Sequence, residues 1–152
     1  MTEILPTTGV SEEAEFLRQE RMEDLRRSLE VVSPGLKAIQ DELIGVWQEC
    51  SRPGWDGYEA RPLGEAALSE AFQFIQGLPW EFMPHSVSGE PGGGVNLEWY
   101  RSPNWLLDVV LAGEGKIYFS ALFGERRLRG VEPLQEELPE ILQNLIRRVL
   151  SG

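Results

Sequence analysis

A chain of 152 residues, 41% of them hydrophobic and five of them tryptophan, has the material for one folded domain with a real core, which excludes a disordered chain. Its formal net charge of −11, from 25 acidic and 14 basic residues, argues against direct nucleic-acid binding, which works by neutralising phosphates with Lys and Arg, and favours a protein partner with a basic surface. No apolar run approaches the roughly 20 residues that span a bilayer. The opening MTEILPTTGVSEEAEF has no apolar segment of signal-peptide type, and the single Cys50 has no partner for an internal disulfide, so the expected location is the cytoplasm, away from membranes.

Residues 1–10 show no periodicity and read as a flexible tail. The rest, 11–152, reads as a single α+β domain, with a helical hairpin region over 11–52 and an α-β-meander-α region over 53–152. Ser11, followed by Glu13 and Glu15, is a helix start, because acids in a first turn complement the helix dipole. That helix is expected to reach about Val32, with Leu17, Leu25, Leu29 and Val32 along its apolar stripe. Ser33-Pro34 matches an N-cap followed by proline at the first helical position. A second helix then carries Leu36, Ile39, Leu43, Val46, Trp47 and Cys50 at steps of three and four, until Arg52-Pro53-Gly54 stops it. A third helix over Glu65 to Gly77 buries Leu68, Ala71, Phe72, Ile75 and Leu78.

Here the period changes from helical to alternating. Val95, Leu97 and Trp99 alternate with Asn96, Glu98 and Tyr100; the sets around 105–111 and 117–123 behave alike. AGEGK is a tight hairpin turn, RSPN a second connection and GEPGGG a flexible turn after a short strand near Met83 to Ser88. Consecutive strands on short turns must be antiparallel. Pro133 to Leu150 reads as a closing amphipathic helix on the sheet. The expected fold is therefore α+β: N-terminal helices, a three- to four-stranded antiparallel meander and a C-terminal helix packed on it.

The catalytic inventory is thin. His85 is the only histidine, so a two-histidine metal site is impossible, and one cysteine rules out a structural zinc site. Cys50 lies on an apolar stripe and reads as core. The glycine-rich GEPGGGVNLEW lacks the Lys-Ser/Thr of a phosphate loop and precedes a strand, where such a loop needs a helix. No cofactor, metal or catalytic set is expected. Glu98 and Asp108, on neighbouring strands, are placed to form a carboxylate pair. In RPGWDGYEARP, Asp56-Gly57 reads as a turn, with Asp56 accepting backbone bonds and Trp55 and Tyr58 pinning it to the core; the competing reading is Asp56 as a desolvated catalytic carboxylate.

Trp55 to Trp99 resembles a group of small bacterial proteins. These carry an Asn-Trp-Asp-Gly-Tyr-x-Ala-x-Pro segment, a helix ending in Leu-Pro and a Gly-Gly-x-aliphatic-x-aliphatic-Glu-Trp strand. Trp55, Asp56, Gly57, Tyr58, Ala60, Pro62, Gly94, Glu98 and Trp99 sit on that pattern, and Gly54 stands where it has Asn. The resemblance implies a bacterial or phage origin, in keeping with an arginine-rich chain whose only lysines are Lys37 and Lys116. It also puts Asp56 and Glu98 on shared positions.

The function these features favour is a non-enzymatic, acidic protein-binding module: an antitoxin, an immunity protein or a phage-encoded inhibitor of anti-CRISPR kind that blocks a basic surface of a bacterial target. The candidate contact residues are Asp56, Tyr58, Glu98, Glu23 and Glu30. The alternative is a small hydrolase or transferase using Asp56, Glu98 or His85. The apolar content of the first two helices also suggests a homodimer.

Overall fold

A computed structural model describes residues 12–30 and 34–152, with the backbone alone for 24–30. The first helix, α1, spans Glu12–Glu30, and α2 spans Pro34–Glu49. Then come α3 (Glu65–Gln76), a short 3₁₀ turn (Trp80–Phe82) and five strands: β1 (Ser86–Glu90), β2 (Gly94–Ser102), β3 (Trp105–Leu111), β4 (Lys116–Phe123) and β5 (Arg126–Pro133). Helix α4, Glu140–Ser151, closes the fold. The strands pair in chain order, all antiparallel.

The alternation on β2 to β4 decides which face is covered. Val95, Leu97, Trp99, Leu107, Val109, Leu111, Ile117 and Phe119 point one way and are all buried. Over that face lie α2 against β1, and α3 and α4 against β2 and β3, while α1 rests on α2. Trp99 is at the centre. It is fully buried, its indole N–H donates to the Phe82 carbonyl at 2.7 Å, and its ring meets Phe74 edge-on at 6.4 Å. The core runs unbroken from Met22 to Val149. Glu70 on α3 ties the helix layer to the sheet: its two carboxylate oxygens accept the Gly113 and Gly115 N–H groups of the β3–β4 turn at 2.7 and 2.6 Å.

Three expectations need correction. The sheet has five strands, not three or four. The extra strand, β5, carries Arg126, Leu128, Gly130 and Glu132 on its inward positions, so it has no apolar alternation to read. It forms because β4 presents a row of backbone groups that need partners. Gly130 sits under the Phe119 ring, where a Cβ would fall 2.3 Å from the ring carbon Cζ. The closing helix begins at Glu140, not at Pro133, which is the last residue of β5. Leu134 and Leu138 still pack on the core, from the connecting segment. On α1, Leu17 is 62% exposed and faces away from the body, so it is not part of a buried stripe. Met22 and Arg18 make the contact with α2 instead, Arg18 lying over the Trp47 ring. The tail at 1–10, Ser11, Val32, Ser33 and the side chains of Leu25 and Leu29 lie outside the described residues.

Candidate functional site on the open face of the sheet

The connection between α2 and α3 is a built turn. Gly54 and Gly57 both adopt positive φ (71° and 85°), which side chains disfavour. Asp56 Oδ1 accepts the backbone N–H groups of Tyr58 at 2.9 Å and Ala60 at 3.2 Å. Trp55 donates its indole N–H to the Arg61 carbonyl at 2.8 Å and packs against Gly89 and the core. Gly89 pairs with Val95, which places this loop on the helix-covered side of β1. Tyr58 is not pinned to the core as expected: it is 85% exposed, because the Asx turn projects it outward from the loop tip.

The other face of the sheet has no described helix over it. Strand register sets its side chains in rows. One row runs Ser86, Glu98, Asp108, Ser120 and Arg129; the next runs Tyr100, Leu106, Leu122 and Arg127. Glu98 and Asp108 stand directly opposite one another, both half-buried. Burial pushes the Glu98 carboxyl above its ordinary range, and the Asp108 charge and a hydrogen bond to Asp108 push it the same way. Asn96 Nδ2 donates to Asp108 Oδ1 at 3.3 Å, while Asn96 Oδ1 is buried without a hydrogen-bond partner. Among the described residues neither acid has a basic partner; Arg18 pairs with Glu65, on the helix side. The result is a pair of facing carboxylates beside a buried, unsatisfied amide oxygen, partly desolvated and, among the described residues, without a cation.

The residues singled out from sequence do not converge. Asp56 and Tyr58 lie on the loop, Glu98 on the open sheet face, and Glu23 on α1 beside a groove of about 830 Å³ between α1, α2 and the loop. The side chain of Glu30 lies outside the described residues. His85 is exposed, and its Nδ1 accepts the Tyr100 N–H at 3.0 Å, prolonging the β1–β2 pairing. Cys50 is buried against Gly89, and burial raises its thiol pKa, so it is held as the unreactive thiol. Sequence reasoning missed Asn96, although its place on β2, two residues before Glu98, was the available signal. Arg127 and Arg129 were missed with β5 itself. Among the described residues no three His, Cys, Asp or Glu side chains are grouped to hold a metal ion, and no helix is long and apolar enough to cross a membrane. No protein-family description, curated protein or solved structure matches the chain.

Proposed function

We propose that this chain is a non-enzymatic protein-binding module, acting as an antitoxin, immunity protein or phage-encoded inhibitor, and that it receives a basic side chain of its target on the open face of the sheet. What carries the reading is the Glu98–Asp108 pair, half-buried and without a cation of its own. Two facing acids are a cost in the free protein, and a bound guanidinium relieves it. Arginine fits better than lysine, because its planar group carries five donors and can serve both carboxylates at once. The net charge of −11 would draw such a target in and speed the encounter.

The test compares wild type with Glu98→Gln/Asp108→Asn on a host-lysate column. A stoichiometric partner that wild type retains and the double variant loses supports the reading; equal retention by both refutes it. The Glu98–Asp108 pair also favours a second reading, a small hydrolase with Glu98 as general acid, since a raised carboxyl beside a second carboxylate suits proton donation. Turnover of a hydrolase substrate panel by wild type and not by Glu98→Gln would select it. Asp56 Oδ1 and His85 Nδ1 each accept backbone N–H groups, which gives both residues a structural role.

A further inference from the structure

The open face carries both halves of a charge pair. Glu98 lies on β2 and Arg129 on β5, in the same cross-strand row, and Arg129 is exposed. Their separation is three strand spacings, about 14 Å, beyond a direct ion pair within one chain. A second copy removes that gap. A two-fold axis parallel to the strands, midway between two stacked sheets and running between β3 and β4, keeps every row in place and exchanges β2 with β5 and β3 with β4. Under it Arg129 of each copy stands over Glu98 of the other. In the adjacent row Arg127 stands over the exposed ring of Tyr100, and Leu122 over Leu106. One operation thus matches an acid with a base, a guanidinium with a ring face and an apolar side chain with an apolar one.

We infer that a second copy of this chain docks on the open sheet face, through reciprocal Arg129–Glu98 contacts. The inference rests on the reading of this face as a cation-accepting surface and names a partner that fits it. Sheets pack face to face about 10 Å apart with strands within about 30° of each other, so the twist of the sheet is compatible with this arrangement. Four strands about 4.8 Å apart and seven residues long make a patch of roughly 19 by 23 Å, which with side-chain relief reaches the lower range of standard interfaces, about 600–800 Å² per copy. The dimer would cover the face that a target needs, so target and second copy compete for Glu98.

The experiment is sedimentation of the full chain with a charge swap. Wild type at high micromolar concentration should sediment at twice 17.2 kDa. Arg129→Glu and Glu98→Arg should each weaken association at least tenfold. Mixed in equal amounts they should form a heterodimer, since both contacts are then opposite in charge, and the double variant Arg129→Glu/Glu98→Arg should dimerise again. Circular dichroism confirms that each variant is folded, and Arg129→Gln, a milder change, should show an intermediate weakening. Wild type that stays monomeric, single variants that associate like wild type, or a mixture that stays monomeric overturns the inference. Target binding is judged separately: Arg129→Glu keeps Glu98 and Asp108, so as a monomer it should still retain a lysate partner. Wild type that stays monomeric yet retains the partner refutes self-association alone; a wild-type dimer without any partner refutes the proposed function alone.

Discussion

Asp56 separates a structural turn from a functional carboxylate. Its Oδ1 accepts two backbone N–H groups, and the two are not equal. The Tyr58 N–H lies at the exposed tip, where water replaces a lost bond cheaply. Ala60 is 3% exposed, so its N–H would be stranded in Asp56→Ala. An unsatisfied buried donor costs about 1–3 kcal/mol, so that variant should lose about 2–3 kcal/mol in all. Asp56→Asn keeps an acceptor but gives up the charge, and charge-assisted bonds are about twice as strong as neutral ones, so about 1 kcal/mol is expected. In a chain of this length 1 kcal/mol moves Tm by about 2–4 °C. Thermal unfolding followed by circular dichroism should therefore show a drop of about 3 °C for Asn and about 4–12 °C for Ala. Partner retention measured on the same samples should fall only as far as folding does. An Asp56→Asn variant with unchanged Tm and no function would refute the structural reading of this loop.

Glu70→Ala removes two short bonds from the β3–β4 turn and should cost about 2–4 kcal/mol, with Glu70→Gln less affected; a urea midpoint that does not move would contradict the tie between α3 and the sheet. Gly130→Ala places a methyl inside the Phe119 ring contact and should destabilise by about 1–3 kcal/mol, and the loss should shrink in a Phe119→Ala background if the ring is the cause. Glu98 titrates higher folded than unfolded, so the folded chain holds its proton more tightly and stability declines as pH rises from about 4.5 through the raised value. Glu98→Gln, denatured at low protein concentration, should therefore be more stable than wild type at pH 7 by about 0.2–1 kcal/mol. That advantage should vanish below the ordinary value of 4.5; an advantage that persists there would sink the assignment.

Local period carried most of the architecture. Leu36, Ile39, Leu43 and Val46 at helical steps, and Val95, Leu97 and Trp99 at every second residue, named their elements and buried faces without reference to any other part of the chain. The antiparallel order followed from the short turns between strands. Cys50 was legible as core for the same reason, and Asp56 as a turn residue because an Asx turn involves only its own neighbours. What the sequence left open depended on partners distant along the chain. Tyr58 reads as a core aromatic in composition, and only the closed turn shows it pointing outward. Strand β5 has no apolar period; it exists because β4 requires hydrogen bonds on its second edge and because Gly130 admits the Phe119 ring. The candidate site is the clearest case. The alternation placed Glu98 and Asp108 on neighbouring strands, but whether they face each other is a matter of register, and a shift of one residue would turn one of them into the core. The connection after Ser102 and the irregularity between Tyr100 and Ser102 set that register, and the same pairing carried through β4 puts Arg129 in their row. Residue type and period are local properties, whereas a site assembled across four strands exists only once their hydrogen bonds have fixed which residues stand side by side.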